Sequence, residues 1–354
     1  MKKTETTPTK QQNILPYYRD GKNKVLLTPK KGEVMDTCAT INSAYVCCNV
    51  KVIKTVKNCP FDCSYCFLQN YLNDGTTTAI ADTDAVMAEV LEKTSREPSR
   101  FFRIGTWELG DSLALEDKIG QAKKLIAAFT GVKNAVLELK TKSDCVDSIL
   151  NIDHQGKTVV SWSLNTSKMI EKEEHKTASL EKRLIAIEKV AKAGYLLGFH
   201  FDPMIMDEGW QDGYREVVSE LAKIAPPSQI AWISMGSLRF NPEQKREMEN
   251  NFPASTLTAA EMVRGDDNKI RYVKPIRIEM YRHLFSLLQD FHFDQTLLYL
   301  CMERSDMWDK IFGYHPNSIE DLDYRFAESL YHRFPGLVPT KPERQAYLKV
   351  PVVD

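Results

Sequence analysis

The sequence contains no apolar run near the roughly 18 residues that a membrane-spanning helix needs, and its longest apolar stretches are of strand length. Its opening residues, MKKTETTPTKQQN, carry lysines with no apolar core behind them, which argues against a secretory signal. A cytoplasmic location with no membrane partner is therefore expected. An excess of one charge is also missing: the formal net charge is −1, so the chain as a whole is no polycation. There is no internal repeat, and eight cysteines in 354 residues are too sparse for a disulfide scaffold. A reducing compartment would keep them as thiols.

What is present is ordinary globular composition, 43% hydrophobic and 27% charged, enough for one large domain or two modest ones. Residues 1–30 depart from the average, with seven Lys or Arg against two acidic residues. They read as a solvated, flexible end that adds salt-dependent attraction to phosphates.

After about residue 35, strand-like and helix-like segments alternate. FFRIGTWE (101–108), NAVLELKTK (134–142), TVVSWSLN (158–165), YLLGFHFDPMI (195–205), IAWISMGSL (230–238) and TLLYLCM (296–302) read as strands. Helices are expected over 117–129, 146–150, 214–224, 242–250 and 281–291. The clearest is 179–194, where Ser179 caps the start, apolar residues recur at Leu180, Leu184, Ile187 and Ala191, and Gly194 closes the end. Such alternation implies parallel strands joined by right-handed crossovers, in an open doubly wound sheet or a barrel. Each strand ends in polar or reactive residues, among them Glu108, Lys142, Ser163, Asn165, His200, Asp202, Ser234 and Cys301. Parallel-sheet proteins gather their chemistry at these carboxyl ends.

The segment VKNCPFDCSYCFLQN spaces three cysteines as Cys59-x3-Cys63-x2-Cys66. Thiolates are soft ligands suited to zinc or to iron–sulfur clusters. Structural zinc takes four protein ligands, commonly as two close pairs, and neither a second pair nor a nearby histidine follows. Three cysteines fit a [4Fe-4S] cubane with one iron left for a small chelating molecule.

That spacing resembles the signature of the radical S-adenosylmethionine superfamily, and the wider sequence resembles the spore photoproduct lyase family. Carrying the likeness are CxxxCSYCFLQ (59–69), TKSDCVDSIL (141–150), SLN (163–165), residues 180–217, RFNPEQKREMENNFP (239–253) and the pair Arg271-Tyr272, over roughly residues 40–300. The resemblance implies an α/β fold, a partial parallel (β/α)6-type barrel over 41–302. A basic lead-in over 1–40 would precede it, and a helical extension over 303–354 would cap it. It implies reductive cleavage of S-adenosylmethionine to a 5′-deoxyadenosyl radical, hydrogen abstraction from a thymine photodimer in DNA, and a low-potential donor of flavodoxin or ferredoxin type.

Residue by residue, the resemblance implies that Cys59, Cys63 and Cys66 hold the cluster and that Lys142 pairs with the methionine carboxylate. Ser163 and Asn165 would donate to the carboxylate or ribose, and Tyr65 and Phe67 would stack on or shield the adenine. Glu108, in Gly105-Thr106-Trp107-Glu108, would bind the methionine ammonium. Arg271 and Tyr272 would steady a phosphate and a base. His200 and Asp202 depart from the family, whose members are largely apolar at this strand end; spaced by two, they share a face and are expected to touch substrate or a proton path.

One departure stands out. The lyases carry a hydrogen-returning cysteine near the end of the second strand, where this chain reads GTWELGDSLALED (105–117) with none. Cys301, at the end of the last strand, is the expected replacement. The missing thiol leaves open a different nucleic-acid or small-molecule substrate for the same chemistry. Other classes to weigh are an electron-transfer protein and a zinc-stabilised nucleic-acid binder.

Overall fold

The computed structural model describes residues 21–22, 24–38, 45–72 and 75–348. An eight-stranded sheet forms its centre: β1 (Met35–Thr37), β2 (Lys51–Ile53), β3 (Phe102–Gly105), β4 (Ala135–Thr141), β5 (Thr158–Ser163), β6 (Leu196–Met204), β7 (Ile230–Ser237) and β8 (Leu297–Leu300). The strands neighbour one another in chain order. β2 to β8 are all parallel, and only β1 runs antiparallel at the edge. Steady progression in one direction curls a parallel sheet into a half-barrel, whereas a doubly wound sheet reverses direction partway. An antiparallel bridge between Val46, just before β2, and Glu303, just after β8, spans the open side.

Helices pack outside this sheet: α1 (Thr83–Ser95), α2 (Gln121–Phe129), α3 (Ser167–Glu173), α4 (Leu180–Lys192), α5 (Trp210–Ile224), α6 (Pro242–Asn251), α7 (Lys274–Asp290), α8 (Ser305–Phe312) and α9 (Ile319–Arg333). Ser179 caps α4 as expected, its side chain accepting from the Lys182 amide. No helix among the described residues is long and apolar enough to cross a membrane.

Several expectations are corrected. The helix expected over 117–129 is two, because Gly120 turns left-handed at φ +58° and Glu116 caps the second through the Ala122 and Lys123 amides. Residues 146–150 form turns: hydrogen bonds run three residues back, from Ile149 to Val146 and from Ile152 to Ile149. The helix expected from 281 begins at Lys274, with Pro275 in its first turn. The strand expected to reach residue 108 stops at Gly105, where the Trp107 ring folds back onto the space a side chain would need.

The lead-in is also revised. Val25–Thr28 pairs in parallel with Thr77–Ile80, and Met35–Thr37 is β1, so the described part of 1–40 belongs to the fold; residues 1–20 lie outside the described residues. The C-terminal extension packs under the amino ends of the strands. Arg333 donates to the carbonyls of Pro227 and Ile230, and the Phe101 amide donates to the Tyr347 hydroxyl.

Candidate active site

The inner face of the half-barrel is polar in its lower layer. Glu138 of β4 is fully buried; its carboxylate accepts from Ser161 (3.0 Å), His200 (2.8 Å) and Trp232 (3.1 Å) and pairs with Arg103 at 3.2 Å. Burial pushes the Glu138 carboxyl up, but Arg103 and His200 outweigh it and hold the group well below the usual range. His200 Nε2 donates to that carboxylate, so Nδ1 accepts from the Ser234 hydroxyl at 2.7 Å. His200, expected at the substrate, is buried in the barrel floor with both ring nitrogens engaged.

The floor carries a pH dependence. Burial first, then Lys140, pushes His200 down to about 4 from 6.5, against the pull of Glu138. Between those values the unfolded chain binds the proton and the folded chain does not, so stability falls as pH is lowered through that window. Urea unfolding at pH 7 and pH 5 should show this loss, and His200→Gln should flatten it.

Residues two positions further along each strand share the inward direction and form the mouth layer: Lys140, Ser163, Asp202, Gly236 and Cys301. Arg239, just past β7, donates to both Asp202 oxygens (2.9 and 3.3 Å) and to Cys301 Sγ (3.4 Å). Gly236 makes room for this pair, since a β-carbon there would lie 2.5 Å from Asp202 Oδ1. Burial raises the Asp202 carboxyl, but Arg239 and Lys140 more than offset it and keep the group ionised. Burial and then Asp202 push the Cys301 thiol well up, which keeps it protonated. The mouth therefore brings together the expected Asp202 and Cys301 around an arginine that the sequence reading missed.

The cysteine loop follows β2. Cys63 is buried, Cys59 and Cys66 are half-buried, and all eight cysteines are free. Asp62 and Cys63 form a short antiparallel ribbon with His175 and Glu174. Two adjacent buried carboxylates grip the loop between its second and third cysteines. Glu173 accepts from the Ser64 hydroxyl (2.5 Å) and from Ser255 (2.8 Å), while Glu174 accepts from the Tyr65 hydroxyl. On the other side, Gln244 of α6 donates to the Tyr65 carbonyl at 2.9 Å, and Asn251 donates to Gln69 at 2.7 Å.

Glu174 also joins the loop to the strand ends. Arg183 of α4, fully buried, donates to Glu174 (2.6 Å) and to the Ser163 carbonyl (2.8 Å). Lys142, just past β4, lies 3.9 Å from Glu174 and 5.1 Å from the centre of the Tyr65 ring. Its backbone amide is fixed by Asp111 at 2.7 Å, and that carboxylate also holds Thr141 and the turn at Leu113 and Ala114. Burial pushes the Glu174 carboxyl up, but Lys142 and Arg183 hold it below the usual range. Tyr65, Lys142 and Ser163, expected together from the sequence, are thus brought together.

Other expected residues have different surroundings. Asn165 lies beyond β5, not on it. It is buried, with its oxygen accepting from Tyr214 and the Thr166 amide and its nitrogen donating to the Pro203 carbonyl. Arg271 and Tyr272, expected at a phosphate and a base, are buried in a three-stranded antiparallel ribbon with Arg239–Phe240 and Met262–Arg264. Arg271 pairs with Asp267 and donates to the Met302 carbonyl, and the Tyr272 hydroxyl accepts from the Met206 amide. These three share a feature: each side chain ties strand ends and loops together. Phe67 is 44% exposed and packs edge-on to Tyr71. Glu108 stands in the turn after β3, 3.9 Å from Lys54.

Three free thiols within eight residues supply the soft donor set that a cubane takes. Burial pushes Cys63 up to about 12, with Lys142 opposing, so a thiolate there needs a cationic partner. Among the described residues, no three His, Cys, Asp or Glu side chains are placed to hold a single metal ion.

A parallel half-barrel whose first parallel strand runs into three cysteines so spaced defines a radical S-adenosylmethionine enzyme. Residues 11–295 match the sequence model of the spore photoproduct lyase family. The spore photoproduct lyase of Bacillus subtilis (strain 168) is 27% identical over 264 residues, covering 74% of this chain and 73% of that one. The solved structure of spore photoproduct lyase complexed with dinucleoside spore photoproduct superposes with a TM-score of 0.72 at 24% identity, over 84% of this chain and 88% of that one. A mutant of spore photoproduct lyase with bound AdoMet and dinucleoside spore photoproduct gives the same values. The chain belongs to the spore photoproduct lyase family.

Proposed function

We propose that this chain is a radical S-adenosylmethionine lyase that splits a thymine photodimer of the spore-photoproduct type in DNA. One observation carries the reading: in a chain of this family, Glu174 and Arg183 join the three-thiol loop to Lys142 and Ser163. Bound there, the cluster and S-adenosylmethionine supply a one-electron cleavage that yields a hydrogen-abstracting carbon radical.

The chain's own residues bind, shield and return hydrogen. Cys59, Cys63 and Cys66 ligate the cluster. Lys142 pairs with the methionine carboxylate, Tyr65 walls the adenine side, and Ser163 donates toward the cofactor from β5. Phe67 and Glu108 border the same end of the barrel, Glu108 towards the methionine ammonium. Asp202 and Arg239 border the lesion at the mouth. The electron comes from a low-potential donor of flavodoxin or ferredoxin type in a reducing cytoplasm, consistent with eight free thiols.

Cys301 returns the hydrogen atom: its S–H bond breaks and a C–H bond forms on the product. One electron from the low-potential donor and one proton from solvent then restore the thiol. In deuterated water, wild type should place a solvent-derived deuterium in nearly all repaired thymine methyls. Cys301→Ala should place it in nearly none, while still forming 5′-deoxyadenosine; unchanged labelling would remove this role.

The decisive assay is anaerobic turnover of the reconstituted chain with a dinucleotide spore photoproduct. Repaired dithymidine together with 5′-deoxyadenosine supports the reading. Deoxyadenosine with intact photoproduct transfers the chemistry to another substrate, and no deoxyadenosine rejects the class.

A further inference from the structure

Glu174 belongs to no motif in the sequence, yet it stands where three parts of the site meet. Its backbone lies opposite Cys63 in the two-stranded ribbon. Its carboxylate takes the Tyr65 hydroxyl from the cysteine loop and the Arg183 guanidinium from α4, and it faces the Lys142 ammonium at 3.9 Å. Side chains of Glu174 and Arg183 are 1% or less exposed, so water screens these charges little. One buried anion therefore sits between a buried guanidinium and a half-buried ammonium, directly beside the thiol loop.

We infer that Glu174 is a positioning residue whose negative charge would set the reduction potential of a cluster held by the three thiols, and which holds Lys142 over the Tyr65 ring beside them. The inference rests on the cluster-binding reading above. Reduction adds one negative charge to the cluster, so a neighbouring anion disfavours the reduced state and a neighbouring cation favours it. Without Glu174, Lys142 and Arg183 would leave two uncompensated positive charges beside Cys63. The same carboxylate keeps two cations from repelling each other, which fixes the ammonium over the Tyr65 ring.

The test is a redox titration of the reconstituted full-length chain, followed by electron paramagnetic resonance, without S-adenosylmethionine or substrate. Glu174→Gln should shift the midpoint to more positive potential, so that the oxidised-to-reduced ratio at the wild-type midpoint falls by at least about threefold. Lys142→Met, which removes a cation from the same group, should shift it the other way. Glu174→Asp keeps the charge and should stay near wild type. A role in folding alone would lower stability without producing opposite shifts. If Glu174→Gln leaves the midpoint unmoved or lowers it, or if Lys142→Met raises it, the inference is overturned. Should Glu174→Gln fail to retain its cluster, the Lys142→Met and Glu174→Asp midpoints decide. A wild-type chain that holds no cluster at all would instead reject the cluster-binding reading.

Discussion

Cys63→Ala yields a folded protein that retains no visible iron–sulfur absorption after anaerobic reconstitution and forms no 5′-deoxyadenosine. Activity should fall to the uncatalysed level, a loss of more than about 10⁶-fold, because the cofactor carries the bond-breaking chemistry. Cys63 is the most informative of the three thiols. It is buried, it lies opposite Glu174 in the ribbon, and Lys142 and Arg183 both favour its thiolate. The remaining two thiols would leave two irons of the cubane open to solvent. Stability should change little, by about 1 kcal/mol or less, since the loop is gripped through Ser64, Tyr65 and Gln69 and not through the cysteine side chain. Iron content, absorption and deoxyadenosine release read the first effect, and urea unfolding reads the second. A Cys63→Ala protein that keeps a full cluster would show that the loop is not its seat.

Glu138→Ala has the opposite profile, a large loss of stability with the cysteine loop intact. The carboxylate is the shared acceptor for Ser161, His200 and Trp232 and the counter-charge of Arg103. Truncation leaves the Arg103 guanidinium buried without its anion, between the Trp232 and Phe326 rings, and strands four donors, the fourth being the Trp107 indole. Breaking a buried pair from one side costs about 3–5 kcal/mol. The Glu138→Ala unfolding midpoint should drop accordingly. Glu138→Ala combined with Arg103→Met should recover part of the loss, because no unpaired charge then remains. If Glu138→Ala unfolds at the wild-type midpoint, the floor network does not hold the barrel together.

These two predictions differ in how visible their residues are along the chain. The cluster ligands span eight positions, and a loop that short must present them to one centre whatever the rest of the fold does. Glu138 and Arg103 gave a weaker signal. Each interrupts an apolar run, Arg103 in FFRIG and Glu138 in AVLELK, and with Lys140 the polar positions fall at a spacing of two. In strands buried on both faces that pattern marks a polar inner wall. The reading instead put His200 among the substrate contacts, because alternation shows which face a residue occupies and not how deep in the barrel it lies.

Asn165, Arg271 and Tyr272 were expected at the cofactor and lesion, and their partners account for the difference. Tyr214, Pro203, Met206 and Met302 lie between 31 and 66 residues away in the chain. A polar side chain near a strand end has the same sequence signature whether it meets a ligand or ties two loops together. Only its neighbours distinguish the cases.

The sequence by itself determined the alternation of strands and helices, the cysteine loop and the chemistry those thiols suit, because each depends on residues adjacent in the chain. Tertiary structure decided that the sheet advances in one direction into a half-barrel and that Arg239 joins Asp202 to Cys301. It also decided that Glu174, 109 positions from Tyr65, links the loop to Lys142. The physical reason is that buried charge must be matched by whatever the fold brings close, and periodicity along one strand carries no record of what the next strand will present.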